Sequence, residues 1–489
     1  MKSLFSTAPV DNNPDIATEK YKSEAVKGIE NPVLQTALAN LQGRFGRGTA
    51  EAYRQLPEGP GLRYRAHEIR MEAIENLDTL LTRLADTIES RGGYVYFAEN
   101  AGEAVTYALN VADRLNVKRV VKGKSMVTEE IALNRAMINA GIEVTETDLG
   151  EYIIQLAGEH PSHIIAPAIH KTRKEIGRLF AEKLGISYIE DPATLTRAAR
   201  KALREKFLAA DMGTSGCNIA CAETGHITTV SNEGNIRMAS TLPRVHMAFM
   251  GMERVIARIE DHDILFRLLA RGASVQNMAG YVSYIGGPRL PDRLDGPDEF
   301  HLVILDNGRS KILADPEFRE MLCCIRCGAC LNVCPVYGKI GGHAYGYPYS
   351  GPVGAVVTPL LVGVNRAKDL FRGETLCGAC KNACPVAIDL PRMLLALRRL
   401  LAEGDSRWNV TPEGFMEKSI FAAWSRMNGN RPVYETAMRI AAIGRALVPE
   451  DGGPLRWLPP PFSGWTYSRD LPKLAQESFN RKWRRTHNR

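Results

Sequence analysis

At 489 residues, with 45% hydrophobic and 24% charged side chains, the chain has the composition of a folded protein of two or three domains. No window reaches about 18 consecutive apolar residues, and residues 1–25 mix Lys, Asp and Glu without an apolar core, which argues against a membrane span and a secretory leader. The net charge of +7 is local, because residues 469–489 carry seven Lys and Arg against Asp470 and Glu477. The cytoplasm is therefore the expected compartment, and clustered cysteines there read as metal ligands rather than disulfides.

Residues 1–60 are polar and broken, with Asp-Asn-Asn-Pro and a Gly/Arg-rich patch at 42–48, and are expected to form an extended arm leading into helix. From 66 to 91 apolar residues recur at three and four, the pattern of one long amphipathic helix ending at Gly92-Gly93. A strand at 94–97, a helix at 101–115 and a strand at 119–121 then read as a βαβ unit. Lys122-Gly-Lys-Ser125 opens a helix at 129–140, with further strands at 142–144 and 163–166 and a basic helix from Lys171. After a helix at 198–209, strands are expected within 217–238 and at 300–305, joined by Gly-, Pro- and Asp-rich loops. Short strands between longer helices predict an α/β domain with a mainly parallel sheet. The expected boundaries are an arm at 1–60, the α/β domain at 61–312, a mostly helical cysteine module at 313–405 closed by a helix at 390–402, and a Trp/Pro-rich basic extension at 406–489. That extension, with Trp408, Trp424, Trp457, Trp465 and the stiff 458–461 segment, is expected to pack on the other domains.

The cysteine module carries the chemistry. Seven of the ten cysteines lie in Cys324-Ile-Arg-Cys327-Gly-Ala-Cys330-Leu-Asn-Val-Cys334-Pro335 and Cys377-Gly-Ala-Cys380-Lys-Asn-Ala-Cys384-Pro385. Three thiols at a spacing of three, then a fourth four residues on before proline, match the ferredoxin run, whose fourth cysteine ligates the other cluster. Zinc sites are built instead from separated pairs, without a third cysteine in each knuckle. Crossed ligation predicts a [4Fe-4S] cluster on Cys324, Cys327, Cys330 and Cys384. A second cluster, [4Fe-4S] or [3Fe-4S], receives Cys334, Cys377 and Cys380. Its missing ligand falls where the ferredoxin repeat would have cysteine and this chain has Glu374. Candidates are Glu374, Cys323, His343, Cys217, Cys221, a partner's residue, or none.

In the α/β domain, Asn218, Glu223, Thr224, Asn232 and Glu233 form a polar, glycine-rich stretch suited to a ligand pocket, although hairpin turns favour the same residues. Lys122-Gly-Lys-Ser125 is either an anion site at a helix start or a solvated turn; it lacks the P-loop frame. No catalytic residue is identifiable, since His226 and His246 lack a visible base–orienter pair.

Val121-Lys-Gly-Lys-Ser-Met-Val-Thr-Glu-Glu130, Gly216-Cys-Asn, Ala-Glu-Thr-Gly225, Ser-Asn-Glu-Gly-Asn235, Gly296-Pro-Asp-Glu-Phe-His301 and Leu305-Asp-Asn-Gly-Arg309 resemble the lactate-utilisation (LUD) domain. With the cysteine module behind them, the chain resembles the lactate utilisation protein B family along nearly its whole length. The resemblance implies an isomerase/CoA-transferase-like fold for the α/β domain. It also implies an iron–sulfur subunit of a system oxidising L-lactate to pyruvate, with a cysteine-rich protein A and a LUD-domain protein C as partners. A second motif with only three cysteines is implied as a family trait. The alternative is a catalytic subunit binding the hydroxy acid or a nucleotide in the LUD domain. Nucleic-acid binding is not expected, because one basic tail with one aromatic is weak support for it; contact with an acidic partner or with lipid headgroups at the inner membrane face fits the tail better.

Overall fold

Six parallel strands carry the α/β region of the computed structural model, which describes residues 16–412, 415–443, 456–458, 463–466, 469–470 and 479–487. The strands are β1 (Tyr94–Ala98), β2 (Arg119–Lys122), β3 (Glu143–Glu146), β4 (Met212–Gly216), β5 (Ile219–Cys221), β6 (His226–Ser231), β7 (Val245–Gly251), β8 (Val255–Ile256), β9 (Tyr281–Ile285) and β10 (Glu299–Leu305). The main sheet has the order β1-β10-β7-β4-β2-β3 and is parallel throughout. Every residue of β7 is buried, as a strand covered on both faces requires.

The expected βαβ unit is not a pair of neighbours, because β10, β7 and β4 lie between β1 and β2. Burial explains the order: the apolar runs of β7 and β10 take the centre, while β1, with Tyr94 and Phe97 about half exposed, takes an edge. A second sheet, β8-β5-β6-β9, is mostly antiparallel. The stretch expected as strand to Met238 turns into the helix Asn235–Thr241 at Gly234, whose φ of 73° ends β6.

Other expectations change in detail. The long helix at 66–91 is two, Leu62–Glu75 and Leu77–Glu89, broken at Asn76. The helix at 129–140 likewise divides into Met126–Glu130 and Leu133–Asn139 at Ala132, where φ is 51°. The expected strand at 163–166 is irregular, because His163 Nδ1 accepts the backbone N–H groups of Ile165 and Ala166 at 3.0 and 3.1 Å and diverts them from a ladder.

The expected extended arm is helical from Thr18 onward, through Tyr21–Glu30, Pro32–Leu41, a π-turn at Gln42–Gly46 and Arg47–Arg54; Asp11 to Pro14 lie outside the described residues. Asn31 caps the second helix by accepting from the N–H groups of Val33 and Leu34. Gly28 and Gly46 mark close packing. A Cβ on Gly28 would lie 2.4 Å from the Ile340 carbonyl oxygen, and one on Gly46 would lie 2.6 Å from that of Asn332.

One hydrophobic core runs through these N-terminal helices, the α/β region and the cysteine module, including Leu38, Leu84, Phe300, Met321, Leu331 and Leu397. The chain forms one compact unit ending at Thr411 and a second beginning at Pro412. Trp408 belongs to the first, where its Nε1 donates to Asp315. The second contains the helices Phe415–Gly429, Arg431–Ile443, Ser463–Thr466 and Phe479–His487. Residues 459–461 of the stiff segment are outside the described residues, as is the side chain of Trp465. Among the described residues no helix is long and apolar enough to cross a membrane.

Candidate metal centre

The two cysteine runs adopt the same backbone path. Arg326 and Leu376 have φ of 55° and 58°, Gly328 and Gly378 follow at 76° and 81°, and each leads into a short helix, Ala329–Val333 or Ala379–Ala383. The left-handed turns fold each Cys-x-x-Cys segment back on itself. Proline then holds Cys334 and Cys384 extended, with ψ of 122° and 121°, and so carries the last thiol away from its own loop.

The structure brings Cys324, Cys327, Cys330 and Cys384 to the wall of one cavity, floored by apolar groups such as Ile325, Val353 and Ile388. Backbone N–H groups point at the sulfurs: Arg326 at Cys324 (3.4 Å), Ala329 at Cys327 (3.5 Å) and Ile388 at Cys384 (3.4 Å). Burial raises the Cys384 thiol to about 12, partly offset by the amides of Ile388 and Val386. Among the described residues no three His, Cys, Asp or Glu side chains converge as they would on a single ion. Thiols spread around a shared cavity, three of the four facing an amide, suit a many-atom cluster and its soft-ligand chemistry.

Around the second run, Cys334 and Cys380 are buried and Cys377 is exposed. Glu374 joins them: Cys334 Sγ donates to its Oε2 at 3.4 Å, and Tyr345 donates to its Oε1 at 3.0 Å. Burial raises the Glu374 carboxyl above its ordinary range, and its proximity helps raise Cys380 to about 12, an effect that burial leads.

The other fourth-ligand candidates lie elsewhere. Cys323 points at Met71 Sδ, 3.2 Å away. His343 bonds the His160 carbonyl, Cys217 lines a separate cavity in the α/β region, and Cys221 sits inside β5.

Sequence reasoning missed the residues that clamp the module. Gln42 donates to the Cys334 carbonyl at 2.7 Å, Tyr53 to that of Ala383 at 3.1 Å, and Arg63 to those of Cys384 and Lys381 at 2.7 and 2.9 Å. The Gly/Arg-rich patch was the available signal, since glycine permits such approach.

The α/β cavity, about 330 Å3, is lined by Asn218, Asn232 and Glu233, whereas Glu223 and Thr224 lie outside it. Glu223 instead accepts the Ile259 N–H at 2.9 Å. Lys122 is not available to an anion, being buried and paired with Glu129 and Glu146 at 2.8 and 2.6 Å. His226 and His246 do not line the cavity either; His246 is held in the sheet by Ser215 Oγ at 2.9 Å, and burial lowers its pKa to about 3.

Residues 81–305 match the LUD domain and residues 320–388 the 4Fe-4S dicluster domain. The chain is 44% identical to the "Uncharacterized electron transport protein YkgF" of Escherichia coli K12, over 96% of both chains. It is also 44% identical to "Lactate utilization protein B" of Oceanobacillus iheyensis, over 95% of both, and 42% identical to its namesake in Bacillus subtilis 168, over 96% of both. The chain belongs to the lactate utilisation protein B family. As a family member it combines a LUD domain with an iron–sulfur module and has a lactate-utilisation, electron-transfer role. A solved duf162 family protein from Deinococcus radiodurans aligns with 47% of the chain and 98% of its own, at 13% identity and a TM-score of 0.27, too low to bear on the fold.

Proposed function

We propose that this chain is the electron-transfer subunit of a cytoplasmic system oxidising L-lactate to pyruvate, relaying electrons through two clusters. A cysteine-rich protein A and a LUD-domain protein C, the partners implied by the family resemblance, would complete the system. The observation that carries this reading is the crossed set, in which Cys384 of the far run shares a cavity with Cys324, Cys327 and Cys330. Bound iron–sulfur clusters supply one-electron transfer at a potential tuned by ligand, hydrogen bonds and exposure.

The chain's own groups set those conditions. Cys324, Cys327, Cys330 and Cys384 hold the first cluster, and Cys334, Cys377, Cys380 and Glu374 the second. Amides facing the sulfurs stabilise negative charge there. The exposed Cys377 leaves the second set nearer to solvent, the side from which a redox partner would dock.

Iron and sulfide quantification with EPR of the anaerobically purified chain tests the cofactor. Two clusters per chain are expected, and a single cluster or bound zinc would refute the assignment. Lactate-dependent dye reduction tests the role: the chain alone should be inactive, and turnover without partners would make it the catalytic subunit.

A further inference from the structure

The positive charge of the chain is concentrated in its second compact unit. Residues 412–489 carry 13 Lys and Arg against 7 Asp and Glu, so they hold six of the seven net charges, together with four of the five tryptophans. Among the described residues the buried hydrophobic clusters end at Val410, and the apolar side chains of this unit contribute nothing to them.

Those side chains sit at helical spacing and face outward. Ile420, Phe421 and Trp424 share one face of the helix Phe415–Gly429, and Phe479 and Trp483, four residues apart, start a stripe on the helix Phe479–His487. All five are more than half exposed. The rings of the stripe lie against one another, with centroids 5.7 Å apart from Phe479 to Trp483 and 3.7 Å apart from Trp483 to His487. Lys482 and Arg484 stand about 100° to either side of Trp483, and both are exposed. On the helix Arg431–Ile443, Glu435 is outnumbered: it accepts from Arg431 Nε at 3.1 Å, and that bond, with the nearby charges of Arg439 and Arg484, holds its carboxyl below the ordinary value.

An apolar stripe with cations along both edges is the profile of a helix that lies in the plane of lipid headgroups. At nine residues the helix Phe479–His487 is far too short to cross a bilayer. Indole rings favour the headgroup layer, where an apolar body and a polar N–H are both accommodated. Duplex nucleic acid would offer phosphates to the cations but no acyl layer to Ile420, Phe421 and the aromatic rings. Anionic headgroups above acyl carbon satisfy both sets of groups.

We propose that the unit beginning at Pro412 docks on an anionic lipid surface, with Phe479 and Trp483 seated below the headgroups and Lys482 and Arg484 on their phosphates. Docking does not depend on the electron-transfer reading.

The test uses the iron-loaded full chain, sedimented with vesicles of phosphatidylcholine alone or mixed with phosphatidylglycerol, at low and at high salt. Sedimentation with the mixed vesicles, little with the neutral ones, release at high salt and quenching of tryptophan fluorescence by brominated acyl chains are expected. Phe479→Ser combined with Trp483→Ser should weaken vesicle binding about tenfold or more with iron content unchanged. A variant that unfolds its own helix would lose binding for another reason, so Ile420→Ser combined with Trp424→Ser gives an independent second reading and should also weaken binding. Leu294→Ser, which removes a 97% exposed side chain from the first unit, should not. Equal sedimentation with neutral vesicles, none with the mixed ones, wild-type binding by both double variants or an equal loss in Leu294→Ser would overturn the proposal. Tighter binding of duplex DNA than of the mixed vesicles at the same salt, or displacement from them by equimolar poly-glutamate, would overturn it in favour of nucleic acid or an acidic protein.

Discussion

Glu374 stands where a ferredoxin repeat would supply its fourth thiolate, and its carboxylate meets Cys334 inside the protein rather than solvent. Glu374→Cys should yield a second cluster with four thiolates, seen as a more oxidation-resistant [4Fe-4S] signal in EPR, while Glu374→Ala should lower iron per chain without loss of the first signal. One residue outside the module contributes a loss of stability in acid. Burial holds the folded-state pKa of His246 down at about 3, against an ordinary value near 6.5. The unfolded chain therefore takes up a proton that the folded chain refuses, so this stability is complete above pH 6.5 and declines as pH falls toward 3. Denaturation in urea between pH 7.5 and 5 should show this loss, with a shallower slope in His246→Phe. The cysteines were legible in the sequence because a loop around a cluster fixes their spacing locally. The buried pairing of Arg309 with Glu130 and of Arg326 with Glu253 was not, because residues about 70 to 180 positions apart meet only after folding.

Between elements, Arg70 ties one helix to two distant stretches of chain. Fully buried on the helix Leu62–Glu75, it donates to the carbonyls of Val255 at 2.7 Å and Leu322 at 3.1 Å, and also to that of Glu253. Arg70→Ala would leave these carbonyls unpaired beside a cavity, a loss of about 3 to 5 kcal/mol that equilibrium denaturation would register. The fold's alternation of strand and helix was readable from periodicity, whereas strand order was not, since β1 and β2 are separated by strands from later in the chain. The N-terminal helices escaped notice although Leu34, Leu38 and Leu41 are buried at helical spacing, because the glycines and polar residues between such positions, which serve contact with the cysteine loops, read as breaks.

At the scale of the molecule, a boundary between residues 312 and 313 divides the sequence by composition but not the interior, since one core includes Phe300, Met321 and Leu331. A fragment of residues 313–411 is therefore expected to lack a cooperative thermal transition and to retain little iron. Deleting residues 16–56 from the full chain should likewise strip the clusters, as measured by iron content and circular dichroism. The shared core also makes cofactor loading a property of the entire compact unit. Ligand binding to the native state alone stabilises that state by mass action. Loss of iron should therefore shorten the chain's survival under a protease at sites far from the cysteines, so that a digestion half-life becomes a measure of how fully the metal has been installed.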